Sequence, residues 1–434
     1  MANWVKNYDE LAITPNRKLA LEIMNAGLDS INTEKVIGSS VRLDGNILRI
    51  QEQEFDLAQF KKIKVVGFGK SSCSAGRALE KILGERINQG AIVGLEKIDL
   101  KYIETFAGTH PRPSEKNIEA GNKIYEIIKD STEDDLIIVL VSGGGSALLC
   151  YPESEYIQGA KLYDAFLKTG GTISEMNTIR KHLSLFKGGG LAKIAYPATV
   201  VGLIFSDVPG DVYVNVASGP TYKDETTIAG AQKSITENNL GEFDLIETPK
   251  EDKYFEKVYN FVLVSNKTAV EAMAKKAEEL NLGVNIVSTN LYDEVGGALK
   301  KIFTVFPDVG ILQGRSPTSG TVALAAGEPR VTVPKNAGKG GRNLHMGLEA
   351  IKMKLVGDDS VFISYASDGA DNSDSAGAVV DKNTIEKVEK MSLEVNDYSA
   401  RFDSYNLFEK TGDIIFTGPT DANVSDLMIL LTKK

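Results

Sequence analysis

Cysteine is almost missing from this chain: Cys73 and Cys150 are the only two in 434 residues, and they stand far apart, outside any C-x-x-C spacing. That excludes a disulfide framework, gives a structural zinc site no footing, and points to a reducing, cytoplasmic setting. Histidine is also scarce, with His110, His182 and His345 making three. None reads as part of a Ser-His-Asp arrangement, so hydrolase chemistry of that type has little support. No window of about 18 apolar residues is present to cross a bilayer, and the opening stretch MANWVKNYDELAITP lacks the apolar core of a signal peptide. Basic residues are outnumbered, 49 Lys and Arg against 59 Asp and Glu, for a net charge of −10. That balance argues against nucleic acid and against a membrane surface as partners, so an anionic substrate needs a locally positive cleft or a metal.

What the chain does have is glycine, 41 residues of it, gathered where apolar runs stop. The runs IKVVGFG at 63–69, AIVGL at 91–95, LIIVLVS at 136–142 and TVVGLIFSD at 199–207 read as buried strands. They alternate with helices: one from Pro15, one over CSAGRALEKIL, and one from after Pro113-Ser114 to about Lys129. Such alternation predicts a parallel sheet with helices on both faces. VRLDGNILRI at 41–50 reads as a hairpin turning at Asp44-Gly45. A charged stretch at 225–258 breaks the rhythm, and the domain division is placed near it, at 1–248 and 249–434, with the C-terminal segment free to pack back on the first domain. Beyond it come FVLVSN, a helix capped by Asn266, VNIVST, a helix over 291–306, VGILQG, RVTVP, VFISYAS and IIFTG, a second α/β unit.

The candidate chemistry sits at strand ends. Ser142, Gly143, Gly144, Gly145 and Ser146 follow a strand and precede a possible helix start, a geometry in which free amides favour an anion or simply make a tight turn. Gly69-Lys70-Ser71 suggests a nucleotide loop, but Lys64 stands where a Walker A glycine belongs and Ser72 where the dinucleotide fingerprint has its third glycine. Lys70 still suits a phosphate as a point charge. Arg180, Lys181 and Lys187 precede a second triple glycine, Gly188, Gly189 and Gly190, and Lys339, Gly340, Gly341 and Arg342 offer two cations among glycines. Asp207 directly follows a strand, with Asp211 beyond it, and Asp368, Asp371 and Asp374 lie in a loop whose spacing does not fit a hand-type calcium site. Together these ends describe a polar cleft for a phosphorylated ligand.

The motifs Gly69-Lys70, His110-Pro111-x-Pro113, SGGGSALL, NTIRKHLS followed by KGGGLA, SDVPGD with ASGPT, GKGGRN, SDGAD with AGA, and TGPT with Asn423, Val424 and Asp426 occur in that order across nearly the whole chain. In this combination the chain resembles the glycerate 2-kinases with a MOFRL-type C-terminal domain. The resemblance implies an α/β fold with a larger Rossmann-like three-layer domain, a smaller α/β domain, and an active site in the cleft they form. It implies transfer of the ATP γ-phosphoryl group to the 2-hydroxyl of D-glycerate with Mg²⁺ or another divalent metal. On the matching positions, Lys70, Asp207, Arg342 and Asp368 look like the family's active-site residues. The departures are His345 where the family usually has a glutamate, an Asp-rich loop one residue short, and Pro329-Arg330 in place of a Thr-Thr pair beside Glu328.

That reaction class needs positioning and charge neutralisation more than a strong base. The amides of 143–146 and Lys70 would hold phosphates, Asp207 and Asp371 would hold the metal, and Arg180 and Arg342 are candidates for the glycerate carboxylate or the transferring group. Asp207 would also orient the substrate hydroxyl. The rivals are an NAD(P)H-dependent hydroxypyruvate reductase and a non-enzymatic binder of a small organic anion. The partners expected are small molecules, D-glycerate and ATP, acting on a monomer or a homodimer.

Overall fold

The apolar runs that end in Gly67-Phe68 and in Val141-Ser142 become neighbouring central strands of one sheet. In a computed structural model, residues 3–169, 173–208, 210, 212–304 and 320–433 are described. The expected strand VGILQG and Asp211 lie outside them. The chain divides into two compact units: a first comprising Thr33–Val208 and Val212–Leu263, and a second comprising Met1–Asn32, Pro209–Asp211 and Val264–Lys434.

The first unit opens with an antiparallel meander, β1 (Val41–Asp44), β2 (Ile47–Ile50) and β3 (Gln53–Asp56), turning at Gly45 as the Asp-Gly pair predicts. Its main sheet contains β4 (Lys62–Phe68), β5 (Ile87–Gly94), β6 (Glu104–Ala107), β7 (Asp135–Ser142), β8 (Thr199–Phe205) and β9 (Val258–Val264). The spatial order is β6-β5-β4-β7-β8-β9, with β4, β5, β6, β7 and β8 joined by parallel pairings. This is the doubly wound order, which reverses direction at the seam of β4 and β7. All eight residues of β7 are buried, as a strand covered on both faces requires. Alternate side chains serve the two faces. Val66, Phe68, Val139 and Val141 pack with Ala120 and Ile124 of the helix Glu115–Ile128, whereas Ile92 meets Gly76 of the helix Ser72–Leu83.

The second unit holds a mixed six-stranded sheet built from β10 (Gly283–Leu291), β11 (Thr321–Gly327), β12 (Ser360–Ala366), β13 (Gly377–Asp381), β14 (Ile414–Ile415) and β15 (Asp426–Thr432). Its order is β10-β11-β15-β12-β13-β14, and only the pair β10 and β11 is parallel. The strand sought in RVTVP is formed instead by TVALAAG just before it, whose small residues are almost wholly buried beside β15. The helix Asn266–Glu279 is capped by Ser265 in a capping box with Thr268, not by Asn266, which is already helical. Helices Pro15–Ser30 and Asn266–Glu279 pack together, and Gly27 admits Met273 and the Tyr365 hydroxyl. Arg17, fully buried, ties the first of these helices down by hydrogen bonds to Asp381, Asp413 and Thr384.

Candidate active site

Doubly wound sheets bind ligands beyond the carboxyl ends of their strands at the point where the order reverses. In the first unit that point receives the loop after β4, carrying Lys70, and the loop after β7, carrying Gly143 to Ser146. Lys70 N–H donates to Gly143 O at 2.8 Å, and Ser71 N–H donates to Ser142 Oγ at 3.1 Å, so the two loops form one platform. Gly144 adopts φ +79°, which turns the chain into the short helix Gly145–Leu148. Among the described residues the amides of Gly144, Gly145 and Ser146 have no hydrogen-bond partner. The Lys70 ammonium has no hydrogen-bond or ion-pair partner there either, and neither has the Arg180 guanidinium.

His110 completes this positive corner. Its ring and the Lys70 stem both lie against Gly144. Partial loss of solvent, then the charges of Lys70 and Arg180, hold the imidazole well below its ordinary value, at about 4, so it is neutral near pH 7. The turn Ala217-Ser218 supports the loop from below. Both residues have positive φ, +51° and +61°, a strained state for side-chain-bearing residues. The strain brings Ser218 Oγ to 2.9 Å from Ser146 Oγ. Asp207, two residues past the end of β8, sets its carboxylate over the Cα of Gly143.

The second basic block behaves differently from expectation. Lys187 is buried, donating to Leu149 O at 2.8 Å and pairing with Glu155, so its charge is already compensated inside the protein. The amides of Gly188, Gly189 and Gly190 donate to Ser218 O, Gly219 O and Lys187 O, which leaves none of the three for a phosphate. Lys181 is likewise committed to buried Asp224 at 2.8 Å, and His182 is a buried packing residue bonded to Ile246 O and Thr226.

In the second unit a cavity of about 320 Å³ is lined by Glu328, Gly341, Arg342, Asp368, Asn372 and Asp426 among others. Arg342 opens the helix Arg342–Lys352, and its Nε lies 2.5 Å from Asp426 Oδ2. Asp426 begins the central strand β15 and is buried. Burial raises its carboxyl to about 7 against the opposing pull of Arg342 and Asn343. Asn343 donates to Asp426 at 2.7 Å and to Asp371 at 3.1 Å, and accepts from Ser364 at 2.7 Å. Asp371 does not present itself as the metal ligand expected of it: one carboxylate oxygen accepts from Asn343 N–H and Nδ2, the other from Leu344 N–H, so it serves as a helix cap. Asp368 lines the cavity and accepts from Ala370 N–H at 3.1 Å. Lys339, beside Gly340, lies over the Tyr405 ring at 3.3 Å and pairs with Asp374 at 3.0 Å. Sequence reasoning assigned no role to Asp426, Glu155 or Asn343. Asp426 had a signal, the charge closing the TGPT motif, whereas Glu155 sits in an ordinary amphipathic helix and had none.

A doubly wound sheet with uncompensated cations and free amides at its reversal point defines an α/β protein built to bind an anionic ligand. Residues 19–245 match a family described as a domain of unknown function, DUF4147, and residues 321–426 match the MOFRL family. A glycerate 2-kinase of Pyrococcus horikoshii is 32% identical over 96% of this chain and 97% of its own length. The crystal structure of glycerate kinase from Thermotoga maritima matches with a TM-score of 0.81 at 30% identity, covering 96% of this chain and 99% of that one. A relative from Agrobacterium vitis that carries the provisional name hydroxypyruvate reductase is 32% identical over 85% of this chain and 98% of its own length. The chain belongs to the glycerate 2-kinase family with a MOFRL domain.

Proposed function

We propose that this protein transfers the γ-phosphoryl group of ATP to the 2-hydroxyl of D-glycerate, giving 2-phosphoglycerate and ADP. The observation that carries the reading is the platform at the β4 and β7 ends, where Lys70 and the amides of Gly144, Gly145 and Ser146 have no partners among the described residues. Phosphoryl transfer is catalysed mainly by positioning and by neutralising charge, which is what such a platform does. Lys70 and the amides hold phosphate oxygens. Asp207 orients the substrate hydroxyl and accepts its proton. Within the second unit Arg342, steadied by Asp426 and sharing its cavity with Asp368, is a cation of the kind that neutralises phosphate charge.

Magnesium fits the residues present, because it is usually held by one or two carboxylates together with substrate phosphates rather than by a closed protein cage. Asp207, a carboxylate set beside the phosphate platform, is placed for that role, while Asp371 is engaged in capping the helix Arg342–Lys352 through Asn343 and Leu344. The ion when bound would lower the repulsion between phosphate and the attacking oxygen.

The test is a coupled ADP assay with D-glycerate, ATP and Mg²⁺, with the product resolved by phosphorus NMR. ADP release that depends on glycerate, with the 2-phospho signal, is the expected result. A 3-phospho product would overturn the regiochemistry. Oxidation of NADH by hydroxypyruvate without ADP release would replace the kinase reading with the reductase one, which the doubly wound order would also accommodate.

A further inference from the structure

Arg180 is the odd residue of the first unit. It stands in the last turn of the helix Ile173–Lys181, one position before Lys181, which has its own buried aspartate. Burial lowers the affinity of the Arg180 guanidinium for its proton, a direction opposite to that of the buried and well-paired Arg17. Among the described residues no carboxylate bonds to it: Glu155 is near enough to act through charge but is bonded to Lys187. Arg180 is half-buried, and a cation partly withdrawn from water without a bonded partner is unfavourable, so an anion is favoured where its guanidinium meets the cavity. Arg180 lines a narrow cavity with Ser146, Pro111, Pro113, Tyr163 and Leu183. Its accessible space is about 20 Å³, on the scale of one small polar group.

We propose that this cavity is the carboxylate subsite, in which Arg180 grips the carboxylate of a short 2-hydroxy acid while Ser146 adds a hydroxyl donor, so that Arg180 sets substrate specificity. The assignment rests on the kinase reading above and sharpens it. A planar guanidinium matches a carboxylate with two parallel hydrogen bonds. The remaining walls include two prolines, Tyr163, Leu183 and Glu155, whose carboxylate is bonded to Lys187, and they offer few donors, whereas a phosphate group finds several around Lys70 and the loop amides.

The experiment measures D-glycerate and ATP binding separately by calorimetry, then steady-state kinetics, for the wild type, Arg180→Met and Arg180→Lys. Arg180→Met is expected to weaken glycerate roughly 10- to 100-fold, the range for a charge-assisted hydrogen bond, with ATP affinity unchanged. Arg180→Lys, which keeps the charge and loses the fork, should fall between the two and guards against a folding defect. Added guanidinium should restore glycerate binding to Arg180→Met. Inorganic phosphate as a third titrant separates the sources of negative charge. Equal losses for glycerate, ATP and phosphate would make Arg180 a phosphate ligand and overturn the proposal, as would unchanged glycerate affinity in Arg180→Met. If the wild type binds glycerate through Arg180 yet releases no ADP, the subsite stands and the kinase reading falls.

Discussion

The Asp207 carboxylate occupies the space that a side chain on Gly143 would need: a β-carbon built there would overlap Asp207 Oδ2. The two residues are brought together by strand pairing, since Ser142 at the end of β7 is in register with Phe205 at the end of β8. The glycine therefore matters for the place it gives the carboxylate as well as for the turn.

Gly143→Ala should push Asp207 off this position and lower kcat at least about 10²-fold, the scale of one misplaced charged group. Circular dichroism melts run beside the kinetics separate that effect from unfolding. Near-normal turnover in a folded Gly143→Ala protein would show that the Asp207 position is not used.

Removing the charges themselves is the more direct test. Lys70→Ala and Asp207→Asn should each reduce kcat by at least about 10²-fold. Activity close to wild type in either variant takes that residue out of the mechanism.

Asp426 gives a pH signature. Its carboxyl is raised to about 7 by burial, so above that value it is ionised and holds Arg342, and below it the ion pair is lost. kcat/KM should fall as pH drops through about 7, and this acidic limb should vanish in Asp426→Asn. The stability effect has the opposite sense. Between the ordinary carboxyl value of 3.8 and about 7 the folded chain keeps a proton that the unfolded chain releases. This contribution to stability is full below the lower value and declines as pH rises through the upper one. Comparing melting temperatures of wild type and Asp426→Asn across that range reads it directly.

Lys187→Met tests the reassignment of the second triple glycine. It leaves Glu155 buried without its cation and should destabilise the first unit by about 3–5 kcal/mol in urea unfolding. Adding Glu155→Leu should recover much of that loss, because replacing both members of a buried pair is far milder than breaking it. A Lys187→Met protein of wild-type stability with weakened ATP binding would return Lys187 to the phosphate site.

Much of the fold was legible in the sequence. The apolar runs at 63–68 and 136–142, their glycine stops and the helical spacing behind them are local patterns, set by contacts a few residues away, and each became the element it suggested. RVTVP misled because its β-branched residues mimic a strand, while TVALAAG, rich in alanine, becomes one through its place beside β15. The C-terminal run DLMILLT lies in the middle of its sheet, flanked by strands that precede it by tens of residues, and no local pattern encodes that order.

The candidate site divides along the same line. By itself the sequence determined the residue types, the glycine turns at strand ends and the motif order that marks the family, because backbone freedom and apolar periodicity act over short range. Only the tertiary structure decided which cations are spent internally and which are available: Lys187 meets Glu155 and Lys181 meets Asp224, while Lys70 and Arg180 meet no carboxylate among the described residues. In the sequence these four basic residues look alike. Their difference comes from packing that places an acidic side chain from a distant segment beside some of them, and burial then makes that pairing decisive for where an anion can bind.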